Sequence, residues 1–223
     1  SSNRYVPMIL PDGRSLHGIN DASIRIGLRL SKDETIVRMP FEVRHMGSKY
    51  PIFSFDFTGA KRGVLPASYD YLRLEGRMQY RLNLPPVGYS RLMLEGGKIF
   101  GKVPYLLLKL HEGNGTYFYD RYAFSCMNFY EFSSDAWISF FYEHHFNGFL
   151  LGRVPLLKKL NWREVFVFKG VYGTLSARND GSLPNTKAVM LFPVGMSSVE
   201  HPYLETGFGI ENIFRLLRVD CIW

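Results

Sequence analysis

The chain has 223 residues, a formal net charge of +7 and a mean hydropathy of -0.09, and 46% of its residues are hydrophobic. It contains no run that approaches the roughly 20 consecutive apolar residues of a transmembrane helix, which excludes a helical membrane protein. The arginines are spread along the chain at strand-like spacing, whereas a nucleic-acid site needs them clustered with stacking aromatic residues, so nucleic acid is not an expected partner.

Two cysteines, Cys126 and Cys221, are too few for a disulfide framework and lack a metal-site spacing. No cofactor is indicated. The chain begins at Ser1 without an export signal and ends at Trp223 inside an alternating apolar pattern. We therefore expect a signal that is removed or lies upstream, and a fragment of a longer protein.

Residues 1–21 are predicted to form a leading segment or loop, and strict alternation of apolar and polar residues begins after them. The alternation indicates strands, because successive side chains of a strand point to opposite faces. About ten strands joined mostly by short turns predict an all-β fold, an antiparallel up-and-down meander. The predicted strands are 24–30, 37–44, 53–57, 72–82, 90–97, 122–131, 136–147, 163–175, 203–211 and 217–223.

The two faces of these strands differ in charge. The apolar face carries no charge in the clearest segments; on it lie Leu72, Leu74, Met78, Leu92 and Leu94. The opposite face carries Arg73, Glu75, Arg77, Arg81, Arg91 and Glu95. A face rich in arginine and glutamate is typical of a wet lumen with ion pairs between neighbouring strands, and the many aromatic residues are typical of a lipid-facing band.

This pattern predicts an incomplete transmembrane β-barrel over residues 1–223, with the leucine-rich face toward lipid and the charged network toward the lumen. The network is expected to be structural, with solute selectivity as a second possibility. A soluble β-barrel that binds an apolar ligand also alternates, with the apolar face turned inward. That alternative stays open at this point.

Two connections, 101–116 and 148–161, resemble each other: each reads glycine, a cation, valine, proline and then leucines. They are predicted to be amphipathic segments at the membrane interface on the same rim. The expected interfacial residues are Pro104, Leu107, Pro155, Leu157 and Lys158. Loops that merely cover the barrel mouth are the alternative. The polar connection 176–202 is predicted to be an exposed loop on the opposite rim, at the cell surface.

Three runs, 146–165, 172–176 and 202–215, resemble a family of uncharacterised outer-membrane proteins from the Bacteroidetes group. Its members carry a carboxypeptidase-regulatory-like domain ahead of a barrel similar to the surface-antigen barrels of outer-membrane assembly factors. The resemblance implies an integral location in the bacterial cell outer membrane and no reaction. The upstream domain and the closing strand of the barrel are absent from this chain.

Residue types that could carry chemistry occur on the strand 136–147. Glu143, His144 and His145 contain metal-binding groups, but the two histidines would face opposite sides, which disfavours a metal site. Ser139, His145 and Asn147 match the residue types of barrel-embedded lipases, yet all three would face the lumen, away from lipid.

The sequence therefore predicts a non-enzymatic outer-membrane protein that acts in assembly, transport or scaffolding. Its expected partners are outer-membrane lipid, lipopolysaccharide and other outer-membrane or periplasmic proteins. The alternatives are the soluble barrel and a membrane-embedded hydrolase.

Overall fold

A computed structural model describes residues 8–16, 18–64, 66–114, 119–182 and 186–223. The described chain is all-β. The strands are β1 (Met8–Ile9), β2 (Ser15–Leu16), β3 (Ile24–Leu30), β4 (Thr35–Arg38), β5 (Val43–Gly47), β6 (Ile52–Ala60), β7 (Tyr71–Leu84), β8 (Gly88–Gly101), β9 (Lys109–Leu110), β10 (Phe132–Ser134), β11 (Ala136–His145), β12 (Arg163–Thr174), β13 (Ser197–Ser198), β14 (Tyr203–Ile213) and β15 (Leu217–Ile222). Helical turns are short: two 3-10 turns, Tyr105–Leu107 and Leu151–Arg153, and one α-helix, α1 (Pro155–Lys158).

Eight strands form one antiparallel sheet in the order β15-β14-β12-β11-β8-β7-β6-β3. Each strand pairs with its predecessor in the sheet, through short turns at 85–87 and 214–216 and through long connections such as 102–135 and 175–202. The predicted antiparallel meander is confirmed. In the part of the chain that the structure describes, β3 and β15 do not pair with each other, so the sheet is open and no closed barrel is seen. No helix in the described residues has the length and apolar character to cross a membrane.

Two predicted strands are wrong. Residues 37–44 do not form one strand: β4 and β5 make a separate hairpin around a turn closed by a bond from Met39 N to Glu42 O of 2.8 Å. Pro40 sits at the second position of that turn, where a fixed φ near −65° suits it. Residues 122–131 are irregular and lie on the sheet, not in it.

The connections lie at two ends of the sheet, set by the strand directions. The loop end holds connections 61–70, 102–135 and 175–202, and the turn end holds 31–51, 85–87, 146–162 and 214–216. Connections 101–116 and 148–161 were predicted to share a rim and in fact lie at opposite ends. The error follows from the missing strand at 122–131, because each strand removed reverses the direction of all later strands.

The loop end contains the larger hydrophobic core. Ile99, Tyr105, Trp137 and Met190 are buried there, and Leu107 packs against them. Residues of the predicted leading segment contribute as well, since Met8 and Leu16 also pack against this core. Residues 1–7 and 17 lie outside the described residues.

The predicted interfacial residues of connection 101–116 are instead buried in the protein. Pro104 is fully buried and Leu107 packs against the core, so neither lies at an interface. The chain turns inward here because Val103 N donates to Asn179 Oδ1 at 3.1 Å, which ties this connection to 175–202. That loop is also less exposed than predicted: Asn179 and Met190 are buried.

Connection 146–162, which contains the predicted interfacial segment 148–161, is largely exposed. Pro155 and Lys158 are exposed and Leu157 is half-buried in α1, while Leu156 beside them is 82% exposed. Proline at the first helical turn has no N–H to satisfy, which fits the start of α1 at Pro155.

Candidate functional site

The eight-stranded sheet has two unlike faces. On the outer face most alternate residues are apolar and many are exposed, including Ile26 at 65%, Ile138 at 49% and Phe208 at 57%, while Lys98 and Glu164 are charged exceptions. The opposite, inner face carries the charged residues of the strands together with apolar ones such as Met93, Phe141 and Val171, and the connections from the loop end pack on it. The predicted apolar set lies on the outer face: Leu72 is exposed, and Leu74, Met78, Leu92 and Leu94 are half-exposed.

The six predicted network residues all lie on the inner face of β7 and β8. They do not form one connected cluster. Arg77 Nη2 lies 2.6 Å from Glu95 Oε2 directly across the strand pair. Arg73 pairs with Glu75 on its own strand at 2.7 Å. Arg81 and Arg91 have no partner within the set.

A second charged centre surrounds Glu143 of β11. The sequence did not predict it. This carboxylate is 2% exposed and receives three arginines. Arg121 Nε lies 2.7 Å from Oε2, Arg218 Nη1 lies 2.5 Å from Oε1, and Arg91 Nη1 lies 3.7 Å from Oε2. Because β8, β15 and a connection all supply a cation, one buried carboxylate ties together distant parts of the sheet.

His145 extends this centre toward the turn end. Its Nδ1 lies 3.1 Å from Glu211 Oε2, and its Nε2 lies 3.1 Å from Glu143 Oε2 without hydrogen-bond geometry. The imidazole also stacks on Tyr89, with ring centroids 4.5 Å apart. The one feature of the sequence that pointed to this centre is that Glu143 and His145 lie on the same face of their strand.

Residues 119–131, which we call the inward segment, lie on the inner face. Glu205 of β14 accepts hydrogen bonds from Ser125 N at 2.8 Å and from Cys126 N at 2.7 Å. Lys169 of β12 is 1% exposed and donates to the carbonyl oxygen of Ala123. Lys169 and Glu205 are direct cross-strand partners, so two adjacent strands hold the backbone of the segment between residues 123 and 126.

Apolar contacts hold the same segment. Phe124 and Met127 are buried against Met93, Phe141 and Val171 of the sheet. A buried phenylalanine or methionine contributes about 1.5 to 3 kcal/mol through the hydrophobic effect. The inward segment is therefore fixed both by charged groups and by packing.

Tyr119 and Arg121 complete the contact between the inward segment and Glu143. The Tyr119 hydroxyl donates to Glu143 Oε1 at 3.3 Å, and Arg218 stacks over the Tyr119 ring. Burial, together with the nearby Glu143 carboxylate, raises the pKa of Tyr119. The phenol therefore stays protonated and acts as a donor at neutral pH.

A cavity of about 290 Å³ lies between the inner face and the inward segment. Glu95 and Lys109 line it and form an ion pair of 2.7 Å. His111 also lines it, is 3% exposed and bonds through Nε2 to Ser134 Oγ at 2.9 Å. Burial, with a smaller effect of Lys109, lowers the pKa of His111 to about 4, so this ring is neutral at pH 7.

The predicted lipase residues are not brought together. Ser139 and His145 both lie on the inner face of β11, but six residues along a strand separate them by about 20 Å. Asn147 follows the strand in a turn with φ 53°. A serine and its base must lie within hydrogen-bond reach, so these side chains do not form a catalytic pair. Across the described ranges, no three His, Cys, Asp or Glu side chains are arranged to hold a metal ion.

Together these features define an all-β protein built on one antiparallel sheet with an apolar outer face and a charged, partly filled inner face. The chain belongs to a family of unknown function, DUF5686: residues 15–177, more than half of its length, match the C-terminal domain of that family. No curated protein matches the chain.

Proposed function

We propose that this chain is the barrel-forming part of an integral bacterial outer-membrane protein, with the outer face toward lipid and the inner face toward water. The observation that carries the proposal is the apolar outer face itself, which continues across all eight strands. Exposed apolar patches of this extent are rare on soluble monomers and mark surfaces that are covered by a membrane or a partner.

The strand lengths support a membrane rather than a protein cover. A transmembrane β-strand needs about 9 to 11 residues when tilted. Of the eight strands, β6, β11, β14 and β12 have 9 to 12 residues, β7 and β8 have 14, and the edge strands β3 and β15 have 7 and 6. The alternative of a soluble barrel that holds an apolar ligand needs the apolar face to line an interior, whereas Ile26, Ile138 and Phe208 are exposed.

Within that location, we favour a role in assembly or scaffolding over an open diffusion pore, with transport as the remaining option. The inward segment occupies the inner face over β8, β11, β12 and β14, where a pore would need an aqueous path. We propose no reaction for the chain, because Ser139 makes no hydrogen bond to a base among the residues that the structure describes. Outer-membrane lipid, lipopolysaccharide and other envelope proteins are the proposed partners.

The proposal is tested by fractionating cells that express the full-length protein. It should remain with the outer membrane after a carbonate wash and migrate differently on gels before and after boiling. Release by high salt without detergent would contradict the proposal. Steady conductance in planar bilayers, with selectivity altered by Arg77→Glu, would favour a pore over an assembly factor.

A matched pair of variants tests the role of the outer face. Phe208→Arg places a charge on that face, where about 2 to 4 kcal/mol opposes its insertion at mid-membrane. Phe41→Arg makes the same change at a fully exposed residue between β4 and β5, outside the sheet. We expect the first variant to lower the yield in the outer membrane and the second to leave it unchanged. Equal yields would contradict a lipid-facing outer face.

A further inference from the structure

We propose that the inner face carries a binding site for a phosphate-type oxyanion between Arg81, Arg91 and Arg121, near the turn end. The site is a cavity of about 320 Å³ that all three arginines line. No carboxylate is among its lining residues in the part of the chain that the structure describes. The proposal does not depend on membrane insertion, since the cavity lies on the polar face.

Arg81 and Arg91 place two positive charges side by side. The two residues are direct cross-strand partners on β7 and β8, so both side chains leave the same face side by side. Like charges placed directly opposite each other destabilise a strand pair. A ligand with negative charge between them would remove that repulsion.

Among the described residues, carboxylates neutralise these two charges only in part. Arg81 forms no ion pair with a described residue, and its guanidinium lies over the Tyr89 ring, 4.4 Å from the centroid. The Arg91 guanidinium lies over the same ring at 5.1 Å. A cation–π contact of this kind attracts the guanidinium to the ring but does not neutralise its charge.

Glu143 is the carboxylate that pairs with two of these arginines, Arg91 and Arg121. Its Oε2 atom lies 2.7 Å from Arg121 and 3.7 Å from Arg91, and its Oε1 atom lies 2.5 Å from Arg218. Arg218 also pairs with Asp220 at 2.8 Å, whereas Arg121 and Arg91 share the single negative charge of Glu143. The cavity keeps an excess of positive charge even with Glu143 in place.

The chemistry of the three side chains selects the ligand class. Guanidinium groups bind phosphate oxygens through two parallel N–H bonds, and several arginines around one cavity match a tetrahedral dianion better than a planar monoanion. Gln79 and Tyr50 also line the cavity and offer neutral donors. The site therefore fits inorganic phosphate, a phosphate monoester, or the phosphate of a lipid headgroup.

The test measures equilibrium binding of radiolabelled inorganic phosphate to the full-length protein in detergent at constant ionic strength. Wild type should bind phosphate saturably, and Arg81→Gln and Arg91→Gln should each weaken binding by about tenfold or more. Arg25→Gln is the matched control, because Arg25 lies on the same face in a one-to-one pair with Asp56 at 2.9 Å. Its affinity should equal that of wild type.

The Arg81→Lys variant and competition for bound phosphate remain informative where a glutamine variant folds poorly. Arg81→Lys keeps the charge and loses the planar fork, so its affinity should fall between those of wild type and Arg81→Gln. Bound phosphate should be displaced by glycerol phosphate and not by acetate; stronger displacement by short-chain phosphatidic acid would assign the lipid headgroup as the source. Absent saturable binding in wild type, equal loss in Arg25→Gln, or displacement by acetate would overturn the proposal.

Discussion

Glu143 and Arg218 form an ion pair of 2.5 Å although 75 residues separate them in the chain. The pair joins β11 to β15 across two intervening strands, β12 and β14. Arg121 brings the inward segment to the same carboxylate. Because the carboxylate is buried, its loss would leave Arg91 and Arg121 without their counter-charge, and Arg218 would keep only its pair with Asp220.

We therefore expect Glu143→Gln to lower the free energy of unfolding by about 3 to 5 kcal/mol, the range for breaking a buried ion pair. The control is Asp56→Asn, which breaks the more exposed pair with Arg25 and should change stability by about 1 kcal/mol or less. Chemical denaturation of both variants in detergent measures the difference. Equal effects would mean that the Glu143 centre does not tie the sheet together.

Glu205 should control the mobility of the inward segment. It accepts the backbone N–H groups of Ser125 and Cys126, and Glu205→Ala removes both acceptors at once. We expect hydrogen exchange over 123–127 to speed up about tenfold or more, since hydrogen bonds to charged groups contribute about 1.5 to 3 kcal/mol each.

Glu112→Ala is the control for that measurement, because the Glu112 side chain is 63% exposed while only its backbone bonds to Phe124. Exchange over 123–127 should not change in this variant. Unchanged exchange in Glu205→Ala as well would show that packing alone holds the segment.

His111 should make the protein sensitive to mild acid. Its pKa is about 6.5 when unfolded and about 4 when folded, so the unfolded state binds more protons between these values. Stability should therefore be unaffected by His111 above pH 6.5, fall as the pH drops toward 4, and lose about 3 kcal/mol in full.

The measurement compares unfolding at pH 7 and pH 5 in His111→Gln, in exposed His201→Gln and in wild type. We expect a smaller loss of stability at pH 5 only in His111→Gln. An identical pH dependence in all three proteins would assign the acid sensitivity to other groups.

Gly97 should be intolerant of a side chain. A Cβ at this position would lie 2.5 Å from the Trp137 ring and 2.7 Å from the Leu74 carbonyl oxygen. Gly97→Ala should destabilise by about 1 to 3 kcal/mol, the usual range for overpacking. A Cβ on Gly152 would meet nothing within 4 Å, so Gly152→Ala should cause no loss in the same thermal melts. Equal stability of the two variants would contradict the packing of Trp137 on β8.

The sequence predicted the strands and their faces well where alternation was long and uninterrupted. β3 begins and ends where the alternation of Ile24–Leu30 does, and Arg77 and Glu95 lie on one face as their spacing required. The hairpin at 35–47 was missed because alternation continues through the turn at Met39–Glu42 and hides the change of direction.

The inward segment could not be predicted from local pattern. Its alternating residues resemble a strand, but its backbone partners are the side chains of Lys169 and Glu205, which lie about 45 to 80 residues away in the sequence. The Glu143 centre was missed for the same reason. Its arginines come from β8, β15 and a connection, and only the folded sheet brings them together.

Two adjacent residues of β6 test most directly whether the outer face lies toward lipid and the inner face toward water. Phe55 lies on the outer face and Ser54 on the inner face. Spin labels should be placed at each position in full-length protein reconstituted in lipid, in a Cys126→Ser, Cys221→Ser background. The label at 55 should collide with oxygen and be shielded from a water-soluble nickel chelate, and the label at 54 should give the reverse. Equal access of the nickel chelate to both labels, or the inverse pattern, would contradict the account.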